Sequence, residues 1–265
     1  MCSLNTEQRA FFQKYIHEVE NALCTVLKSN AVRFPSLKVL LNRFECTSKR
    51  LLSEGFKHLR QFIEFHNELC TAVMLLEEPN CEQLDYEPVS AVCEKRFDFH
   101  LRYTKQKPMW VEVKTIHPLT KDDWWKYEQD LGLGRFGNVK LILNEEWLGG
   151  EIYHDAYASR SKILEYVVET ENKIESCLKD KIEDNTCLVF FSNGTDWYLD
   201  ELEDFVFYYR HDKHHSGDTF AQMEDYHIKE NRIILKRNIH LFAFMERSLT
   251  EIRPNRVRWN VRPSP

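Results

Sequence analysis

The sequence lacks any long hydrophobic run. No apolar stretch among its 265 residues approaches the ~20 residues that a membrane-spanning helix needs. The N-terminal residues 1–7 have no signal-peptide character. Hydrophobic residues make up 43% of the chain and charged residues 29%, a balance typical of globular proteins. We therefore expect a soluble, cytoplasmic protein without a membrane partner.

The sequence also lacks closely spaced cysteines. Its eight cysteines lie singly, mostly within apolar-periodic segments, and no Cys-x-x-Cys pair occurs. Zinc knuckles and disulfide frameworks use such pairs, so we expect buried free thiols. Internal repeats and linkers rich in glycine, serine or proline are missing as well. These absences predict one compact unit with a helical N-terminal addition.

The chain has no overall excess of basic residues. Its 36 lysines and arginines face 42 acidic residues, and the net charge of -6 argues against a protein that coats nucleic acid with its whole surface. The C-terminal segment from Lys229 onward is nevertheless basic. It predicts either a track for a phosphate backbone or a charged tail that favours solubility. Arg256 and Arg258, on an alternating segment typical of an edge strand, are the candidates for nucleic-acid contact.

Helical periodicity dominates the N-terminal part of the chain. Apolar residues recur at helical spacing over 7–28, and a second helix begins at Pro35. We interpret residues 1–52 as an N-terminal helical addition that serves as a cap or as the dimerisation surface of a homodimer. Residues 53–265 form the second predicted unit, which contains an insertion at 118–150 and the basic C-terminal segment.

The second predicted unit alternates between helix and strand. Periodicity predicts a helix, three strands, a long helix and an apolar strand at 53–77, 83–90, 96–103, 108–116, 155–182 and 186–191. The predicted order of elements is therefore αβββαβ.

Two neighbouring predicted strands carry charged residues on one face. Alternation with period two gives Asp98 the same face as Glu112 and Lys114. The turn at 104–107 can bring Asp98 beside Glu112, and carboxylates that close repel each other unless a cation lies between them. Mg²⁺ suits this arrangement, with Lys114 placed to orient an attacking water or to balance charge on a phosphate. The opposite face carries the apolar residues Phe97, Phe99, Leu101, Met109, Val111 and Val113.

An acid on one strand followed by Glu-x-Lys on the next resembles the PD-(D/E)xK nuclease superfamily. The chain departs from the family pattern at Phe97, where many members have proline before the acid. The resemblance implies an α/β protein with a restriction-endonuclease-like αβββαβ core and a mixed central sheet. It also implies that Asp98, Glu112 and Lys114 are catalytic. The metal ligands would be Glu68, Asp98 and Glu112, because the helix before the sheet supplies a further acid in many families of this fold.

The function implied by the resemblance is metal-dependent hydrolysis of phosphodiester bonds, with DNA as the partner. Mg²⁺ would be the cofactor, Mn²⁺ could substitute for it, and one or two ions would activate water. Two other interpretations stay open. The charged face is an ordinary solvated strand face, since acid-x-Lys triplets are common by chance, or the chain is a catalytically inactive nucleic-acid-binding or protein-interaction module that retains the fold.

Three further segments carry residues with recognisable chemistry. The glycine-rich segment 132–139 matches nucleotide-binding patterns, but a helical segment precedes it and no kinase catalytic loop follows, so we expect a loop beside the site. Arg160 and Lys162, at the start of the long helix, are candidates to meet a phosphate or form a polar first turn. His211, His214 and His215, with Asp212 and Asp218, predict a solvated cluster or a transition-metal site.

Overall fold

The computed structural model describes residues 4–88, 95–116, 151–178, 183–192, 199–218, 221–247 and 251–261. Its α-helices are α1 (Thr6–Val19), α2 (Thr25–Asn30), α3 (Leu37–Glu54), α4 (Leu59–Glu77), α5 (Glu151–Cys177), α6 (Leu199–His211) and α7 (Ala221–Glu230). Its strands are β1 (Cys81–Tyr86), β2 (Phe99–Tyr103), β3 (Met109–Ile116), β4 (Asn185–Ser192), β5 (Leu241–Glu246) and β6 (Arg256–Val261).

The six strands form one mixed sheet in the order β1-β2-β3-β4-β5-β6. The first three strands make an antiparallel meander, β4 pairs parallel to both β3 and β5, and β6 returns antiparallel to β5. Helix α5 lies in the connection between the parallel strands β3 and β4, as parallel pairing requires. The predicted α/β class is thus confirmed, and the elements α4-β1-β2-β3-α5-β4 follow the predicted order.

The sheet separates two hydrophobic cores. Helices α1 to α4 pack on one face, to which Phe99, Leu101 and Val111 contribute. Helices α5 and α6 pack on the other face, with Trp110 and Leu188. The molecule is therefore a three-layer arrangement of helices, sheet and helices.

One residue of the predicted apolar face, Phe97, packs on the opposite face of the sheet from the others. Phe97 packs in the second core, with its ring centroid 5.6 Å from that of Trp110, whereas Phe99 and Leu101 belong to the first. The strand begins only at Phe99, so the alternation that holds inside β2 does not extend back to Phe97.

The N-terminal helices pack against the sheet as one continuous core. The predicted first helix is interrupted by a π-helical turn at Glu20–Cys24, after which α2 follows. Helix α3 runs through the predicted unit boundary at 52 and ends at Gly55, whose φ of 83° and ψ of -158° suit glycine alone. None of the helices in the described ranges is long and apolar enough to span a membrane.

The cysteines are only partly as predicted. Cys24, Cys46, Cys70, Cys81 and Cys187 are free thiols, although Cys46 is exposed rather than buried. Cys177, the last residue of α5, is disulfide-bonded, so the prediction that the cysteines are free is wrong for this residue.

Candidate functional site

Asp98 lies immediately before β2 and contacts the neighbouring strand. Its Oδ2 accepts a 2.6 Å hydrogen bond from the backbone N–H of Val113 on β3. Val113 stands between Glu112 and Lys114 in the sequence, so the carboxylate is held against the Glu-x-Lys segment. The structure therefore brings together the acid and the pair that the sequence predicts as neighbours.

Glu112 is buried on β3 between two ammonium groups. Its side chain is 5% exposed, and its Oε1 lies 3.2 Å from Lys114 Nζ. Its Oε2 lies 2.5 Å from Nζ of Lys173, which comes from α5. A buried carboxylate needs such partners, because desolvation of an isolated charge is costly.

Lys114 connects Glu112 to the helix above the sheet. Its Nζ lies 3.2 Å from Glu169 Oε1 on α5 and 5.4 Å from the ring centroid of Tyr166. Burial lowers the pKa of Lys114, but the carboxylates of Glu112 and Glu169 raise it by more, and the net shift is upward. Lys114 therefore carries its proton at neutral pH and acts as a cation and hydrogen-bond donor, not as a base.

The environment of Asp98 disfavours its charged form. Burial raises the pKa of Asp98 well above its ordinary value, and the charges of Glu112 and Glu68 raise it further. The pKa of Glu68 is raised to about 7, mainly by burial, although Tyr86 donates a 2.6 Å hydrogen bond to its Oε2. Asp98 thus interacts electrostatically with both of the other predicted metal ligands, Glu112 and Glu68.

The three carboxylates are not at single-ion spacing. Within the described ranges, a group of three ligand atoms that all lie within 4.8 Å of one another is formed by His214, Asp218 and Glu224, and it includes none of the predicted carboxylates. The charges of Glu68 and Glu112 affect the pKa of Asp98, but the three side chains would have to turn towards one another to share an ion.

The predicted nucleic-acid contacts are described only in part. Lys162 Nζ bonds Glu165 at 2.7 Å and lies 5.0 Å from the centroid of the Tyr166 ring, which Lys114 also contacts. Arg258 on β6 bonds Glu203 at 2.5 Å, and nearly half of its side chain is exposed. The side chains of Arg160 and Arg256 lie outside the described residues, as does the whole glycine-rich segment with the rest of the 118–150 insertion.

Two residues of α5 join the site without having been predicted. Glu169 and Lys173 lie four residues apart and face β3 from the crossover helix, with Tyr166 on the same side. No short pattern in the sequence marks these two residues, because charged residues at four-residue spacing are also common on the exposed faces of helices.

The histidine-rich segment separates into different environments. His211 packs against Phe207, with ring centroids 4.6 Å apart, and Asp212 pairs with Arg237. His215 is half-exposed, 4.0 Å from an Asp204 oxygen. His215 also packs against Phe207, with ring centroids 5.1 Å apart, whereas His214 and Asp218 form a group with Glu224 of the unpredicted helix α7.

No protein-family model, curated protein or solved structure matches this chain.

Proposed function

We propose that the chain is a metal-dependent nuclease of the PD-(D/E)xK type that hydrolyses phosphodiester bonds in DNA. The observation that carries the proposal is the 2.6 Å hydrogen bond from the Val113 N–H to Asp98, which holds an acid against Glu112 and Lys114 on the central strands of a mixed sheet. The order α4-β1-β2-β3-α5-β4 supports it, because this is the order expected of a restriction-endonuclease-like core.

The donor set suits a hard divalent cation. Glu68, Asp98 and Glu112 offer only oxygen atoms, which Mg²⁺ and Mn²⁺ prefer. The pKa of Asp98 is raised mainly by burial and further by the charges of Glu112 and Glu68, and a cation shared by these carboxylates would offset that repulsion. When bound, Mg²⁺ would lower the pKa of a coordinated water and offset charge on the scissile phosphate.

The lysines would act as fixed positive charges. Lys114, which keeps its proton, would donate to the attacking water or to a phosphate oxygen beside Glu112. Lys173 would hold Glu112 in place from the opposite side, at 2.5 Å. The ring of Tyr166 lies within reach of Lys114 and Lys162, so the phosphate of a bound strand would meet two cations on this surface.

The proposal is tested by cleavage of plasmid, linear and single-stranded DNA in Mg²⁺ and in Mn²⁺. Asp98→Asn keeps an oxygen that accepts from Val113, so the fold should survive while cleavage slows by about 100-fold or more. Lys114→Ala should have a similar effect. The matched controls are Asp85→Asn on β1 and Lys49→Ala on α3, both at more exposed positions, which should cut like the wild type. Unchanged cleavage by Asp98→Asn or Lys114→Ala would contradict the assigned roles.

The second candidate is a catalytically inactive module that binds nucleic acid or protein through the same fold. The Lys173–Glu112 ion pair favours it, because an ammonium of the chain already neutralises the central carboxylate. This candidate predicts DNA binding that weakens steeply with salt, together with no product in either metal. A calorimetric titration with Mn²⁺ separates the two candidates, since the nuclease should bind the ion and lose that binding in Asp98→Asn.

The homodimer predicted from the N-terminal helices is checked by light scattering.

A further inference from the structure

A second cluster of side chains that could ligate a metal lies between α6 and α7. His214 and Asp218 come from the turn after α6, and Glu224 comes from the first part of α7. Nδ1 of His214 lies 3.4 Å from Asp218 Oδ2 and 3.7 Å from Glu224 Oε2. Both carboxylate side chains are almost fully buried, at 0% and 2% exposure.

The local backbone explains how residues four apart meet. Gly217 has φ of +97°, a conformation in which an L side chain is strained, and no atom crowds the position where a Cβ would stand. The backbone N–H of Asp218 donates to the carbonyl of His215 at 3.1 Å, which closes the turn. The turn returns Asp218 to the ring of His214.

The histidine ring is oriented for a ligand. Its Nε2 lies 2.7 Å from Asp225 Oδ1, and a carboxylate accepts, so Nε2 carries the proton and Nδ1 presents its lone pair. Tyr208 stacks on the ring at a centroid distance of 4.4 Å and an angle of 6°. Within the described residues, Nδ1 is shielded from solvent and makes no hydrogen bond. A buried ring nitrogen with this orientation is typical of a metal ligand that is held by an outer carboxylate.

The two distances from His214 Nδ1 fit tetrahedral coordination, and the ligand atoms of all three residues lie within 4.8 Å of one another. Zinc binds histidine nitrogen and carboxylate oxygen at ~2.0–2.2 Å, which puts neighbouring ligand atoms of a tetrahedron about 3.3–3.5 Å apart. The distances from His214 Nδ1, 3.4 Å and 3.7 Å, are close to this edge length. The two carboxylates would balance the charge of a divalent ion, and one coordination position would remain for water.

We propose that His214, Asp218 and Glu224 form a binding site for a divalent first-row transition metal, with Zn²⁺ as the ion that its ligands suit best. An imidazole ligand disfavours Mg²⁺ and Ca²⁺, and among the transition metals the tetrahedral spacing suits Zn²⁺ better than Cu²⁺ or Ni²⁺, which prefer square-planar or tetragonal sites. The site is separate from the acidic cluster of β2 and β3, with which it shares no residue. It joins α7 to the end of α6, so the bound ion would stabilise the packing of α7.

The experiment is a Zn²⁺ titration of the metal-stripped full chain in competition with a chromophoric chelator. The wild type should bind Zn²⁺, and Asp98→Asn should retain the same equivalent. His214→Ala and Glu224→Gln should lose it, with affinity at least ~100-fold lower, whereas the neighbouring His211→Ala and His215→Ala should bind within a few fold of the wild type. Asp225→Asn, which acts through the orientation of the ring, should weaken binding by roughly 10–100-fold.

Co²⁺ provides an independent readout, because a tetrahedral site gives visible absorption bands that His214→Ala should abolish. Absence of Zn²⁺ binding by the wild type overturns the proposal, and so does equal binding by His214→Ala. If the ligand variants fail to fold, as judged by circular dichroism, Asp225→Asn decides the matter. Its carboxylate is 59% exposed, so the fold should tolerate the change, and an unchanged Zn²⁺ affinity would then overturn the site.

Discussion

Arg247 is completely buried and ties three separate parts of the chain together. Its guanidinium donates to Asn67 Oδ1 at 2.8 and 3.1 Å, to the hydroxyl of Tyr15 at 3.0 Å and to the carbonyl of Glu251 at 3.0 Å. His66 lies in the same network, with Nδ1 3.1 Å from the Tyr15 hydroxyl and Nε2 3.0 Å from the carbonyl of Ile252. This network fixes the segment after β5 against α1 and α4.

His66 should make stability depend on pH. Burial lowers its pKa well below the ordinary 6.5, and the charge of Arg247 adds to this effect, while the hydrogen bond to the Ile252 carbonyl opposes it. The unfolded chain therefore takes up a proton near pH 6.5 that the folded chain does not, so this contribution is present above pH 6.5 and is lost as pH falls below it. Between pH 7.5 and 5.5 the wild type should lose about 1.4 kcal/mol of unfolding free energy through this group.

Urea unfolding at the two pH values measures the effect. His66→Gln should lose less stability than the wild type over this interval, by about the same 1.4 kcal/mol, whatever its stability at pH 7.5. His17→Gln, which changes an exposed histidine of α1, should follow the wild type. Parallel losses in the wild type and His66→Gln would show that His66 does not control the dependence.

At the scale of single residues, the sequence allowed prediction of site residues that lie close together along the chain. Glu112 and Lys114 lie two apart on an alternating strand, and Asp98 follows from the preceding segment, so their proximity could be predicted. Lys173 could not, because in the sequence it belongs to a charged helix that looks solvated, and only the packing of α5 on β3 buries it against Glu112.

The break between α3 and α4 depends on one glycine. Gly55 is buried and has φ of 83° and ψ of -158°, a region essentially restricted to glycine. Gly55→Ala should lower the free energy of unfolding by roughly 1–3 kcal/mol, because the added Cβ strains this backbone. Chemical denaturation measures the loss. Ser53→Ala, two residues earlier at an exposed helical position, is the control and should change stability by less than about 0.5 kcal/mol.

Gly55 also explains an error of element boundaries. Apolar periodicity continues across 53–58, so the sequence predicted one helix from 53 to 77, whereas the structure has the end of α3, a short 3-10 turn and then α4. Strand β3 was predicted at 108–116, one residue longer than the observed Met109–Ile116, because its alternation is regular and Pro108 marks its start. Helix α7 was missed, since its buried residue Glu224 is polar and gives no apolar stripe.

The two cores should unfold together if the chain is one cooperative unit. Leu40 is fully buried in the core that the N-terminal helices share with the sheet, and Phe205 is fully buried in the other. Leu40→Ala and Phe205→Ala should each lower the free energy of unfolding by about 2–5 kcal/mol, and the effects should add within about 0.5 kcal/mol. Circular dichroism and intrinsic fluorescence should report one coincident transition in each variant.

A separate unfolding transition would show that the N-terminal helices are not part of the same cooperative unit as the sheet. If Leu40→Ala shifted only a helical transition and left that of the sheet in place, residues 1–52 would form an independent unit. The control is Val39→Ala on the same helix, where the side chain is 45% exposed and the change should have little effect.

The parallel pairing of β3 with β4 has a consequence for synthesis on the ribosome. Val111 pairs with Cys187, but α5 and the long insertion separate them in the sequence, whereas Phe99 pairs with Val111 through a short turn. The meander β1 to β3 therefore leaves the ribosome well before β4. Until β4 arrives, the backbone N–H and C=O groups along one edge of β3 have no strand to pair with. Because β3 becomes a central strand of the finished sheet, its exposed edge is where nascent chains would associate, and slowing translation after Ile116 should increase the aggregated fraction.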